Sequence, residues 1–305
     1  MSRSAPTSIL CAAPVLRRLS ALCALLLATA ALAQPIVVRD DRGIEHRFAA
    51  PPLRIVTMLP SLTEIVWVLG AGPRLVGVDR YSNWPEPVAE LPHLGGMEDA
   101  QIEAIAALKP DVVLASTSSR AMDRLQALGL RVVRLKSDSH DDLRRALQLI
   151  AQLLGTPDAG ARVWDRIRRD VDAAAARVPP ALRGQRVYFE IDGGPYAAGP
   201  ASFIGETLTQ LHMGNIVPAS LGAFPQLNPE FVVRARPDIV MGLRSEQAAL
   251  ARRPGWGGLA AVREQRLCGF DAAQFDVLVR PGPRLGEGAA QLADCLAGLG
   301  KATAR

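Results

Sequence analysis

Between Arg54 and Leu135 short apolar runs alternate with stretches of helical spacing. The runs are Arg54–Leu59, Leu75–Asp79, Val112–Ser116 and Val132–Leu135. Their length and Val/Ile content suit parallel strands covered on both faces. Ser61–Leu69, Asp99–Leu108 and Arg120–Leu128 carry helical spacing between them, which predicts a βαβ lobe. Ser61 followed by Glu64 has the spacing of a capping box at the first helix. From Ser139 to about Arg177 no strand pattern appears. Apolar Leu143, Leu147, Ile150, Leu153 and Leu154, then Val163, Trp164, Ile167 and Val171, follow a helical period with charge on the other face. Gly155-Thr156-Pro157-Asp158 interrupts this connector and restarts it, with Asp158 as the expected N-cap, and Pro179-Pro180 ends it. Strand spacing resumes at Arg186–Ile191. A Gly-rich turn over Asp192–Pro195 follows, then a helix near Phe203–Leu211, a short strand near Asn215–Val217, a last strand at Arg266–Phe270, a Pro/Gly-rich loop, and a C-terminal helix at Leu285–Leu299. The pattern predicts an α/β fold of two lobes with largely parallel sheets, 34–138 and 179–305, joined by a long connecting helix over 139–178. Such a connector makes a stiff clamp, and a ligand belongs in the cleft between the lobes.

One short pattern occurs twice. Glu103-Ala-Ile-Ala-Ala-Leu-Lys109-Pro110-Asp111-Val112-Val113 matches Glu230-Phe-Val-Val-Arg-Ala-Arg236-Pro237-Asp238-Ile239-Val240. Proline disfavours the helical region for the residue before it, so each copy reads as helix, stop, buried strand. A cation at the stop suits the negative helix end. Two similar lobes, each with a Glu at one equivalent position, follow from the repeat.

The N-terminus bears on compartment. Arg17 and Arg18 precede an apolar run from Leu19 to Leu32, and Ala31-Leu32-Ala33 offers a cleavage site before Gln34. These are the parts of a secretory signal peptide over 1–33. The run is shorter than the ~20 residues a membrane anchor needs. Cys23 lacks a small residue directly before it, against lipidation, and the arginine pair leaves the general and twin-arginine routes both open. Without the three arginines of that segment, 32 basic residues face 30 acidic ones, mixed along the chain. That balance gives no footprint for nucleic acid. Cys268 and Cys295 are the cysteines left to an exported chain, where pairing is permitted.

Catalytic signatures are missing. His46, His93, His140 and His212 pair with no other ligand at metal spacing. There is no G-x-S-x-G elbow, Walker loop or G-x-G-x-x-G. An exported hydrolase on this scaffold would need one of these or an equivalent, so the chain reads as no enzyme. The loops after the strands carry candidate ligand contacts instead. Tyr81-Ser82-Asn83-Trp84-Pro85 follows the strand Leu75–Asp79. Tyr81 is the stronger contact, Asn83 stands beside it, and Trp84 can equally pack on its own lobe. Phe224-Pro225 and Leu94-Gly95-Gly96-Met97 precede the two repeats and should face each other across the cleft. Asp276 and Arg280 fall in a loop of low regularity, where Arg280 can meet a ligand or pair with Asp276.

These residues resemble the periplasmic substrate-binding proteins of ABC importers for cobalamin, haem and iron–siderophore complexes. The resemblance runs from about Arg54 to Leu299. It rests on Arg54-Ile-Val-Thr-Met-Leu-Pro60-Ser61-Leu-Thr63-Glu64, on Leu75-Val-Gly-Val-Asp79, and on Gly95-Gly96-Met97 leading to Lys109-Pro110-Asp111. Tyr81–Pro85, Phe224-Pro225-Gln226 and the Asp276/Arg280 spacing look most like the cobalamin branch. The resemblance implies a periplasmic, monomeric protein that captures cobalamin, or else haem or a ferric siderophore, and delivers it to an inner-membrane ABC permease dimer with its ATPase. It implies ligand contacts from Tyr81, Asn83, Trp84, Phe224, Asp276 and Arg280, with Tyr81 as an axial phenolate if the ligand is haem. It also implies permease docking through Glu103 and Glu230. The chain departs from the branch at Ser116–Ser119 and near His93-Leu94, where aromatics are expected. It departs again near His212, where a Cys would pair with the C-terminal helix; Cys295 is left to find Cys268 or nothing. The ligand class therefore stays open, and a subunit that has lost ligand binding is a third reading.

Overall fold

Four parallel strands form the sheet of lobe one, in the order β4 (Leu75–Val78), β3 (Ile55–Thr57), β5 (Val112–Ser116), β6 (Val132–Leu135). They belong to a computed structural model that describes residues 35–192 and 196–303. The proposed signal segment, its cleavage point and the turn at 193–195 lie outside those residues. Helices α1 (Pro60–Val66), α2 (Ile102–Ala107) and α3 (Met122–Ala127) connect the strands. Ile55, Val112, Val113 and Leu114 are fully buried, as a sheet covered on both faces requires. A hairpin of β1 (Ile36–Arg39) and β2 (Glu45–Phe48) precedes the lobe.

The connector forms as two helices, α4 (His140–Leu153) and α5 (Pro157–Ala176), packed along each other. Ser139 caps α4 with a capping box closed by Asp142. The restart differs from the expected one: Thr156 holds the N-cap position and Pro157 opens α5, with Asp158 inside the first turn. The 20-residue α5 is the long helix, and it packs on the last helix of the chain.

Lobe two carries β7 (Arg186–Asp192), β8 (Tyr196–Ala197), α6 (Phe203–Gln210), β9 (Gly214–Asn215), α7 (Pro229–Ala235), β10 (Ile239–Leu243), α8 (Arg244–Leu250), α9 (Ala260–Arg263), β11 (Leu267–Phe270), α10 (Ala272–Leu278) and α11 (Leu285–Thr303). Its sheet runs β11-β10-β7-β8, with β9 also on β7, and only the short β8 is antiparallel. Cys268 on β11 and Cys295 on α11 are bridged, with Cα atoms 5.8 Å apart. The bridge pins the last helix to the sheet it covers.

The sequence repeat has a structural counterpart in detail. Lys109 and Arg236 both adopt left-handed backbone, each at φ 48°. Asp111 Oδ2 accepts from the backbone N–H of Leu53 and Arg54 at 2.8 and 2.9 Å, and Asp238 Oδ2 accepts from Arg186 N–H at 2.7 Å. Arg54 and Arg186 then donate to the last carbonyls of α2 and α7, Leu108 and Ala235 among them. Each stop is thus fixed by a Pro, an Asp and an Arg that opens the neighbouring strand. Glu103 and Glu230 fall at the second residue of their helices, with side chains 86% and 80% exposed.

Candidate functional site

The carboxyl ends of β3, β4, β5 and β6 face lobe two across a cleft. Three adjoining cavities of 600, 540 and 470 Å³ fill it, and Leu59, just past β3, lines all three. Lobe one contributes Arg80, Tyr81, Met97 and the hydroxyls of Ser116, Thr117 and Ser118. Lobe two contributes Tyr196, Phe224, Asp276, Val279 and Arg280. Met97 and Phe224 line the same cavity, so the two loops before the repeats do face each other.

Tyr81 is presented by a braced turn. Asp79, 1% exposed, accepts from Tyr81 N–H at 2.8 Å and from the Ser82 hydroxyl at 2.5 Å. Ser82 Oγ lies 2.7 Å from Thr63 Oγ1, which lies 2.7 Å from Thr57 Oγ1. This buried hydroxyl chain ties the turn to α1 and β3. Burial raises the Asp79 carboxyl above its ordinary value, opposed by the bonds from Ser82 and Tyr81 and by the charge of Arg280. These bonds fix the backbone of the turn, while Tyr81, 62% exposed, lines the cleft.

Asn83, Asp276 and Arg280 come together beneath Tyr81. Arg280 Nη2 donates to Asp276 at 2.6 Å and to the Tyr81 carbonyl at 3.1 Å, and its Nη1 donates to Asn83 Oδ1 at 2.8 Å. Asn83 Nδ2 donates back to Asp276 at 3.2 Å. Asp276 lies on helix α10 rather than in an irregular loop, because Asp271 and Gln274 close a capping box ahead of it. Trp84 does not line any of the three cavities; the Arg284 guanidinium stacks on its ring at 4.7 Å. Phe224 sits at the opposite wall, edge-on to Phe203 at 5.8 Å.

The capping box expected at Ser61 and Glu64 does not form. Leu59 holds the N-cap position without a side-chain bond. Glu64 is 1% exposed and instead accepts from Arg284 at 2.7 and 3.1 Å and from Arg280 at 3.4 Å. Two distant arginines outcompete local N–H groups for a buried carboxylate. Sequence reasoning also missed Tyr196, 42% exposed on the two-residue β8, which no strand pattern marks. Its place just past the Gly-rich turn is the one signal that could have found it.

The cleft gathers aromatic rings, serine and threonine hydroxyls and the Asn83–Asp276–Arg280 cluster along its walls. The periplasmic binding protein family model matches residues 55–273, and the chain belongs to that family. A Bacillus subtilis ABC transporter substrate-binding lipoprotein, YvrC, is 27% identical over 86% of this chain and 85% of its own length. The cobalamin-binding protein of Halobacterium salinarum strain R1 is 29% identical over 68% of this chain and 58% of its own length. Among solved structures, the apo periplasmic heme-binding protein RhuT from Roseiflexus sp. RS-1 superposes with a TM-score of 0.70 at 25% identity, covering 80% of this chain and 98% of that one. Relatives of this kind are substrate-binding proteins of ABC transporters, not enzymes.

Proposed function

We propose that the chain is exported to the periplasm with cleavage near Ala33-Gln34, works as a monomer, captures cobalamin between its lobes, and delivers it to an ABC permease dimer with its ATPase. Tyr81, Phe224 and Tyr196 supply the ring contacts, and Asn83, Asp276 and Arg280 the polar floor. Glu103 and Glu230 dock the permease. The observation that carries cobalamin is the state of the cations. Among the described lining residues the two guanidinium groups, Arg80 and Arg280, are already bound to carboxylates, Asp99 and Asp276 with Glu64. The rest of the lining is hydroxyl, aromatic and aliphatic, with the Met97 thioether, the Asn83 amide and the His93 imidazole, whose ring nitrogens lie 3.1 and 3.3 Å from backbone carbonyls, and with Asp79, Glu98 and Asp138 adding carboxylates. A ligand with carboxylates on its rim would find both guanidinium groups already paired and further carboxylates beside them, whereas an amide-rich corrin needs only donors and acceptors and no free cation. Tyr81 supports the second reading, haem, because a phenol at 62% exposure beside the cleft can reach an iron. Calorimetry of the mature protein against cyanocobalamin, haemin and a ferric siderophore tests the assignment. One-to-one binding of cyanocobalamin alone is expected; a Soret shift with haemin and no heat with cyanocobalamin overturns it.

A further inference from the structure

The segment Arg280-Pro281-Gly282-Pro283-Arg284 of lobe two reaches across to α1 of lobe one. Both of its arginines end on Glu64. Oε1 accepts from Arg284 Nη2 at 2.7 Å and from Arg280 Nη1 at 3.4 Å; Oε2 accepts from Arg284 Nε at 3.1 Å. The approach is close enough that a Cβ on Gly282 would stand 3.1 Å from Glu64 Oε2 and 3.6 Å from the Ser61 backbone. The flanking prolines hold φ near one value, so the segment is stiff where it meets α1. Every charge in the cluster is buried or nearly so: side-chain exposure is 1% at Glu64, 9% at Arg280 and 14% at Arg284.

The cluster does more than tie two surfaces. Arg280 also holds the Tyr81 carbonyl and Asn83, and Arg284 lies over Trp84. The turn that presents Tyr81 is therefore gripped from lobe two at three of its residues, and Glu64 is the carboxylate common to both grips. A separate tie exists where the chain crosses between lobes, with Phe203 N–H donating to the Asp138 carbonyl at 2.6 Å and His140 Nε2 lying 2.9 Å from Thr207 Oγ1. Each tie adds bonds that a rotation of one lobe on the other must break unless its axis runs through both.

We propose that Glu64 is a positioning residue for ligand capture: through Arg280 and Arg284 it sets the Tyr81 turn and the lobe separation before any ligand arrives. This rests on the cleft being the ligand site. Breaking the grip should act on escape of the ligand more than on its entry, since changes within one site fall mainly on dissociation.

The test uses the mature protein with spin labels at Glu103→Cys and Glu230→Cys, which read lobe separation without ligand. A narrow distance distribution, unchanged by cyanocobalamin, is expected. Glu64→Gln should broaden it and raise the cyanocobalamin dissociation rate roughly tenfold, with association within about threefold. Adding Arg284→Gln to Glu64→Gln should cost no more than either alone. Glu64→Gln should also change Trp84 emission, an effect absent in a Trp84→Phe background. Arg284→Lys keeps the charge, loses the fork, and carries the same expectations if Glu64→Gln does not fold. A distribution that stays narrow in these variants, or a dissociation rate that does not move, overturns the assignment. If the parent protein binds no cyanocobalamin, the ligand assignment fails, while the distances still decide the role of Glu64.

Discussion

Tyr81→Ala is the most informative substitution in the cleft. A tyrosine buries about 200 Å² when fully covered. At 62% exposure in the free protein, Tyr81 has roughly 120 Å² left to give a ligand. At about 25 cal/mol per Å² the whole of that area is worth about 3 kcal/mol, and contact through one ring face about half. Loss of the ring should therefore raise Kd for cyanocobalamin by ~10–100-fold. The turn survives the change, because its bonds run through the Tyr81 backbone and through Asp79 and Ser82. Calorimetry gives Kd, and circular dichroism confirms the fold. Tyr81→Phe separates the two ligand readings. Ring contact with a corrin keeps its affinity within about twofold, whereas an iron held by the phenolate is lost. If Tyr81→Ala folds normally and binds as tightly as the parent, the exposed ring is not a ligand contact and the area argument is wrong.

Reversing Glu103 and Glu230 to Arg together should abolish uptake in cells while leaving ligand affinity in vitro unchanged, because rim charges govern docking rather than the cleft; normal transport by the double variant removes them from the interface. Burial holds His140 below its ordinary 6.5, so as pH falls below that value the unfolded chain takes up a proton that the folded chain refuses, and stability is lost down to the folded value. His140→Gln should flatten that part of a curve of thermal stability against pH, and an identical slope in both proteins refutes the account. Replacing Cys295 by Ser opens a loop of 27 residues and should lower unfolding free energy by about 3 kcal/mol in a denaturant titration; no change would mean that the bridge constrains nothing the unfolded chain would otherwise explore.

The parts legible in the sequence were those fixed by local chemistry. Pro-Asp after a helix stopped α2 and α7 where the repeat predicted, and the apolar runs at Val112–Ser116 and Val132–Leu135 became strands with those bounds. The left-handed Lys109 and Arg236 gave no signal of their own, since neither is a residue that favours φ > 0. Misreadings came where a distant partner displaced a local one. Glu64 has capping-box spacing, but the competing arginines stand 216 and 220 residues away. Asp276 looked loop-borne because the Pro/Gly-rich stretch after it masked a two-turn helix. The Tyr81 turn was legible as a candidate because aromatic, polar and Pro residues followed a strand end. Its brace through Thr57 and Thr63 was not, since hydroxyls in apolar runs carry no mark of what they bond.

The β1–β2 hairpin has a bearing on the order in which the molecule can assemble. It is the first described piece of the chain to be made, yet its seats come much later. Asp40 accepts from the Arg134 N–H at 3.2 Å, Asp41 accepts from the Lys136 N–H at 2.7 Å, and the Val37 carbonyl accepts from Gln152 at 2.9 Å. These bonds span 94, 95 and 115 residues. The sheet of lobe one must reach β6, and the connector most of its first helix, before these three seats exist; ahead of them only the exposed Arg42–Asp123 pair is available among the bonds described. Closing loops of that length comes after the local contacts in β3 to β5 have formed. An N-terminal fragment that stops short of Val132 should therefore hold its hairpin by little more than the exposed Arg42–Asp123 pair, and the beginning of the protein waits on its middle.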